Sequence, residues 1–393
     1  MNVKQQSVKA WFKSGTPWVW MTAGGVAIAV IMTIGLLAVI ATRGLGHFWP
    51  ADVIESDYQV PGEAPHVFAG ELVQKEEVPR ARLSAAGLPV DVKGGEFMTR
   101  ELLKVGNREL FGADFHWVVG EWMSNPRTPV NLMVMERREW GNFYGYLVNV
   151  KQDGQVVAEG DTAWGELQQR IARIDDLHAQ IKALQKRDIG RINHGLERLR
   201  LETRKHELKN NLDAATQADI DARRAEWDAE YKVLEKELTA LNTAFNRDSV
   251  TVRTVDGREA EISLGKVVRA FQPNAMGTFD KLGFYFAKLW EFVSDEPREA
   301  NTEGGIFPAI FGTVMMTLIM AVIVTPFGVL AAIYLREYAR QGPLTRLIRI
   351  AVNNLAGVPA IVYGVFGLGF FVYVLGGSLD RLFFAEAAPA PTF

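Results

Sequence analysis

The sequence predicts a polytopic α-helical membrane protein with a large aqueous α+β domain inserted, and that domain carries an antiparallel helical coiled-coil hairpin. Three features predict it. Apolar segments at residues 17–41, 306–335 and 351–375 each reach the roughly 20 residues that a ~30 Å hydrocarbon core demands. A charged stretch, residues 42–305, separates the first from the second. Within that stretch, strand-like runs flank a proline-free segment with a heptad seam. The 393 residues hold 43 Lys+Arg and 46 Asp+Glu, a net charge of −3, which excludes the strong basic balance of a nucleic-acid binder. The absence of cysteine excludes disulfides, thiolate nucleophiles and cysteine metal sites.

Residues 1–16 form a short tail with Lys4, Lys9 and Lys13 and no acid. The first span, PWVWMTAGGVAIAVIMTIGLLAVIA, exceeds the ~15-residue apolar core of a secretory signal and ends without a small-residue cleavage site, so it stays in the protein. Trp18 and Trp20 fit an interfacial aromatic belt. The loop at residues 336–350 carries Arg336, Arg340, Arg346 and Arg349 against Glu337 alone. By the positive-inside rule the tail and this loop share the cytoplasmic side, which places residues 42–305 and 376–393 outside.

The outer domain opens with β-rich runs such as VNLMVMERREW. YLVNVKQ-DG-QVVAEG is a hairpin signal, because Asp-Gly supplies the positive φ of a two-residue turn; SVTVRTV-DG-REAEISL is a second hairpin. Between them, about residues 164–247, Trp164, Leu167, Ile171 and Ile174 recur at helical 3,4 spacing. Trp227, Tyr231, Leu234, Leu238, Leu241 and Phe245 continue the alternation after a turn near NNLDAATQAD. Gly190 and Gly195 are expected to bend or break the first arm. The hairpin reads as a spacer with a solvated face or as a docking arm for a partner. The histidines at 178, 194 and 206 lack metal-ligand spacing, and GxSxG, GxxxxGK[ST] and GxGxxG are all absent, so no metal centre, cofactor or catalytic site is expected.

The second and third spans are not plain anchors. Ala321, Thr325, Gly328 and Ala332 lie at 4,3,4 spacing, with Pro326 as an expected kink. Asn353, Gly357, Ala360, Gly364 and Gly367 are expected to share one face of the third span, with Pro359 as its kink. Such small-residue faces suit close helix packing in a multi-helix bundle, where lipid gives no hydrophobic drive.

EPREANTEGGIFPAIFGTV, GVLAAIYLREYA and NNLAGVPAIVYGVFGLG, with VVRAFQPNAMG before them, closely resemble the PstA family of inner-membrane permease subunits of phosphate-specific ABC transporters, in its extended form with a large domain after the first helix. The likeness is densest over residues 266–393. It implies a multi-pass subunit of the bacterial inner membrane, with its N-terminus cytoplasmic. Its partners would be a second permease subunit, a cytoplasmic ATPase dimer that binds ATP and Mg, and a periplasmic phosphate-binding protein. It also implies a six-span core, of which this chain holds part. The coupling helix with its E-A-A…G pattern lies after further spans, and Glu386-Ala387-Ala388 is a chance match outside the membrane. The chain is thus expected to be a fragment. The second and third spans hold no charged residue, so anion contacts there would fall to backbone N–H groups or to Asn353, Asn354, Thr313 and Thr325. The two asparagines either contact the anion or cap the irregular start of the third span. A permease for sulfate or molybdate is the alternative; a membrane-anchored sensor or assembly protein is a second.

Overall fold

A computed structural model describes residues 8–91, 95–298, 303–355 and 357–387. Their contacts divide the chain into two compact units. The first comprises residues 1–146, 253–258 and 270–307, and the second residues 147–252, 259–269 and 308–393.

In the first unit, helices α1 (Val8–Lys13) and α2 (Thr16–Gly46) open the chain; α2 is apolar all round and long enough to span a bilayer. It begins with a proline in its first turn, where a missing N–H costs nothing. Strands β1 (Val53–Tyr58), β2 (His66–Pro79), β3 (Phe97–Lys104), β4 (Phe115–Val119) and β5 (Met123–Arg127) form an antiparallel sheet in the order β4-β3-β2-β1-β5. Short helices α3 (Arg80–Ala85) and α4 (Arg108–Phe111) punctuate it. Alternation along the strands buries both faces. Val78, Met98 and Val119 pack with Leu83 on one side, and Tyr58, Leu103 and Val118 pack with Val105 on the other. Strand β6 (Met133–Arg137) pairs with the start of β7 (Phe143–Gln152), Val134 opposite Tyr144. These residues, with Val53, Ala69, Leu132 and Phe271, make a further core.

The segment VVRAFQPNAMG has a structural part to play here. The Asn274 amide accepts the Val53 N–H at 2.9 Å and donates to the carbonyls of Val53 at 2.9 Å and Pro129 at 3.0 Å. One side chain thereby fixes where β1 begins. Helix α8 (Thr278–Ser294) follows, its N-terminus closed by the Asp280 carboxylate on the Gly277 N–H.

In the second unit, β7 turns back into β8 (Gln155–Glu159) through Asp153 and Gly154, with φ of 49° and 77°: the two-residue turn expected from Asp-Gly. Strands β9 (Asp248–Arg253) and β10 (Glu259–Ser263) are neighbours, so the second hairpin is also present; its connection, though, is a longer loop with positive φ at Gly257 alone. Strand β11 (Val267–Phe271) closes the β-rich part of the chain.

Two helical arms stand between β8 and β9. The first is α5 (Ala163–Ala183) and α6 (Gly190–Leu208), joined by a π-helical turn; the second is α7 (Ala214–Phe245). The turn between arms has Asn210 at φ 51°, and the Asp213 side chain caps α7 by accepting the Thr216 N–H at 2.8 Å. Leu167, Ile171, Ile174, Ile181, Ile192 and Leu199 are buried on the first arm, as the 3,4 spacing requires. On α7 the seam is thinner: Ile220 is buried, Trp227, Leu234, Leu238 and Phe245 are half-buried, and Tyr231 is exposed. Of the expected bend or break at the glycines, a break does not occur: a π-helical turn, Leu184–Ile189, runs up to Gly190. The backbone stays helical through Gly190, and Gly195 lets the arms close, since a Cβ there would lie 2.6 Å from the Trp227 indole.

At the foot of the arms, Asp248 is fully buried and accepts from Arg170 at 2.7 Å, Arg173 at 2.6 Å and Arg247 at 2.9 Å. A buried carboxylate needs such pairing, and here it ties the first arm to the start of β9.

The second span is α9 (Phe307–Ile333), extended by a π-helical turn to Tyr338. It runs unbroken through Pro326. The next segment corrects the sequence reading. Residues expected to be loop and the start of the third span form a separate helix, α10 (Pro343–Leu355), and the third apolar helix runs over Ala360–Phe383, not 351–375. Its parts are α11 (Ala360–Gly367), a π-helical stretch and α12 (Gly377–Phe383). Pro359 stands just before α11 with extended ψ, as a helix start and not a mid-helix kink. Sterically, a residue before proline leaves the helical region, so α10 must end before Pro359.

Candidate functional site

Two regions compete as functional sites: the polar positions of the apolar helices, and a cavity in the first unit.

The polar positions do not converge. Thr313 and Thr325 both lie on α9, separated by about 18 Å at helical rise. The Thr313 hydroxyl donates to the Ala309 carbonyl at 2.7 Å, a helix back-bond that uses its one donor in this conformation. Asn353 and Asn354 belong to α10, on a different helix from Gly364 and Gly367. The proposed five-residue face of the third span therefore breaks up: Asn353 lies on α10, Gly357 in the turn after it, and Ala360 opens α11. Gly357 N–H donates to the Asn354 carbonyl at 3.0 Å, so that turn uses the asparagine backbone to end α10. Residue 356 lies outside the described residues, as do residues 299–302 of the EPREANTEGG motif and 388–393.

On α10 the spacing sorts side chains sharply. Leu344, Leu347, Ile348, Ala351 and Leu355 recur at i, i+3, i+4, i+7 and i+11, while Arg346, Arg349 and Asn353 fall on the opposite side. Asn353 is thus a polar-face residue beside two arginines. Arg349 also donates to the Leu335 carbonyl at 3.2 Å, satisfying the end of the preceding helix. A Cβ on Gly328 or on Gly364 would meet nothing within 4 Å, so the small faces at these positions are open within this chain.

The cavity, about 300 Å³, is lined chiefly by apolar and aromatic side chains. Tyr58, Phe68, Val105, Trp117 and Tyr144 form its walls, with His66, His116, Asp256 and Arg258 as polar groups. Strand β2 brings His66 and Phe68, and strand β4 brings His116, Trp117 and Val118. The loop between β9 and β10 supplies Val255, Asp256 and Arg258, the part of the second hairpin that the Asp-Gly signal did not explain. Arg258 is held by Asp256 at 2.7 Å and lies 4.6 Å over the Phe111 ring. The Asp256 carboxyl is consequently held below the usual carboxylate range despite its burial, by Arg258 and the Thr254 hydroxyl. At the inner wall the Tyr144 hydroxyl donates to Glu71 at 3.0 Å. Burial pushes the Glu71 carboxyl upward, outweighing the Lys104 charge and that hydrogen bond. Asp256 is thus paired with Arg258, and Tyr144 with Glu71. Among the described residues no three His, Asp or Glu side chains gather as a metal ion would require.

No family model and no solved structure matches the chain. Curated proteins do. The chain is 32% identical over 97 residues to the phosphate transport system permease protein PstA of Mycobacterium leprae, which is 24% of this chain and 32% of that protein. It is 39% identical over 82 residues to PstA of Pasteurella multocida, 21% of this chain and 29% of the relative. It is also 40% identical over 92 residues to the permease protein PstC of Mesorhizobium japonicum, 21% and 28% of the respective lengths. The chain thus spans about a third or less of the length of these curated relatives. Over that part of its length, the chain is similar to permease proteins of phosphate transport systems, PstA among them.

Proposed function

We propose that this chain is a permease subunit of an ATP-driven importer of inorganic phosphate in the bacterial inner membrane. The observation that carries the proposal is its 32–39% identity to PstA permeases, joined to three helices long and apolar enough to span a bilayer. In this reading the chain contributes part of the translocation pathway beside a second permease subunit. A cytoplasmic ATPase dimer hydrolyses ATP, and a periplasmic binding protein delivers the anion. The inserted domain and its coiled-coil arms lie in the periplasm, and the N-terminus lies in the cytoplasm. Asn353, Asn354, Thr313 and Thr325 are the side chains proposed to meet the anion, and Gly328, Pro326, Gly357, Pro359, Gly364 and Gly367 those that pack or shape the helices.

The test is phosphate uptake at limiting phosphate in cells whose copy of the gene is disabled and then restored. Uptake should fall and recover; uptake independent of the gene would refute the proposal. Excess sulfate or molybdate should leave labelled phosphate uptake unchanged, and competition by either would favour a permease for that anion instead.

A further inference from the structure

Helix α8 of the first unit carries an exposed apolar stripe with no counterpart in the proposed transport role. Phe279, Leu282, Phe286, Trp290 and Val293 recur at helical spacing along one side, and Phe279, Phe286 and Trp290 are 88%, 59% and 71% exposed. The side opposite the stripe is engaged. Phe284 packs 4.5 Å from Phe271 in the core, Lys281 pairs with Asp52 at 2.5 Å, and Lys288 pairs with Glu136 at 2.7 Å.

The same helix holds both points at which the chain meets its first two apolar spans. Phe48 and Trp49, directly after α2, pack on Tyr285 and Phe292, with ring centroids 5.1–6.4 Å apart. On the way into the second span, the Ile306 N–H donates to the Phe292 carbonyl at 2.8 Å and the Phe307 N–H to Asp295 at 3.1 Å. Gly305 makes this return possible, since a Cβ there would lie 2.2 Å from the Asp295 carbonyl oxygen. Helix α8 is thus tied both to the residues that leave the first apolar helix and to those that lead into the second.

We infer that α8 is an interfacial membrane helix: its Phe279–Phe286–Trp290 stripe is buried in the headgroup and acyl boundary of the leaflet facing the inserted domain. The stripe carries no charge, which matches lipid and not an ionic partner, and aromatic side chains favour that depth. Its occupant is therefore the lipid surface itself. The inference rests on α2 and α9 crossing the membrane and needs no assumption about the transported anion.

Because the chain holds no cysteine, single cysteines report cleanly on the full-length protein in phosphatidylethanolamine–phosphatidylglycerol vesicles. A polarity-sensitive fluorophore on Phe286→Cys, and separately on Phe279→Cys, should emit blue-shifted light. It should also be quenched by nitroxide lipids labelled near the headgroup more than by lipids labelled deep in the chain, as burial of about 5–10 Å requires. Ala287→Cys, exposed but off the stripe, should emit as in water and resist quenching. Val322→Cys in α9 should be quenched best by the deep label. Water-like emission at both stripe positions would overturn the inference. Blue-shifted emission without lipid quenching would overturn it too, in favour of a protein partner. Loss of quenching at Val322→Cys would instead refute the spanning helices beneath it.

Discussion

Asp248 shows how one buried charge organises the base of the arms. It is fully buried, with three guanidinium groups on its two oxygens. Asp248→Asn keeps the shape and leaves three cations without their anion. Breaking a fully buried pair costs about 3–5 kcal/mol, but Arg173 and Arg247 keep some water contact, so a loss of about 2–3 kcal/mol is expected. The denaturant midpoint of the full chain in detergent, followed by helical circular dichroism, reads this; an unchanged midpoint would show the cluster to be dispensable. Gly195 offers a test in which the sign itself changes. Alanine surpasses glycine inside a helix by about 1 kcal/mol, yet a Cβ at 195 would strike Trp227 at 2.6 Å. Gly195→Ala should therefore destabilise the native chain but stabilise a Trp227→Ala background, where the ring is gone. The same sign in both backgrounds would sever the two residues.

Element by element, legibility in the sequence follows how local the deciding physics is. The Asp-Gly turn at 153–154 and the helicity of the first arm with its buried apolar side are set by neighbouring residues, and both were readable. The second span was readable to within a few residues, because apolar length alone decides it. The third was misplaced by nine residues at its start, because apolar content continues through α10 and only Pro359 marks the break. That proline was visible, but a helix start and a mid-membrane kink share the same residue. The cavity was not legible at all: it joins β2, β4 and the β9–β10 loop, which are distant in sequence. The stripe on α8 was missed for the opposite reason, since TFDKLGFYFAKLWEFVS reads as ordinary amphipathic core until its partners are known. At this scale the clasp into the second span can be tested by Gly305→Ala. Its Cβ would overlap a backbone carbonyl, which cannot rotate away as a side chain can. We expect a clear drop in membrane level of the full-length protein, while Gly283→Ala, with open space around its Cβ, should express normally. Equal levels would mean that the turn at 305 relaxes freely.

At the scale of the whole molecule, the question is which regions share a side of the membrane. The helices α2 and α9 have uncharged centres, and each is long and apolar enough for one crossing. In the proposed arrangement, two crossings put the segment before Thr16 and the segment after Tyr338 on one side, and the residues between the two helices on the other. The direction comes from charge: Lys4, Lys9 and Lys13 precede the first span, and Arg336, Arg340, Arg346 and Arg349 follow the second, favouring the cytoplasm for both. On α10 those arginines share a face with Asn353, while leucines and isoleucines occupy the other, so the basic side chains need not enter hydrocarbon for the chain to return. Single cysteines at Ser14, Gln341 and Asp161 test the arrangement in intact cells whose outer membrane has been made permeable. A thiol reagent that cannot cross the inner membrane should label Asp161→Cys at once, and the other two after lysis alone. Labelling of Ser14→Cys before lysis would invert the topology, and labelling of Gln341→Cys without Ser14→Cys would show that α9 does not complete its crossing.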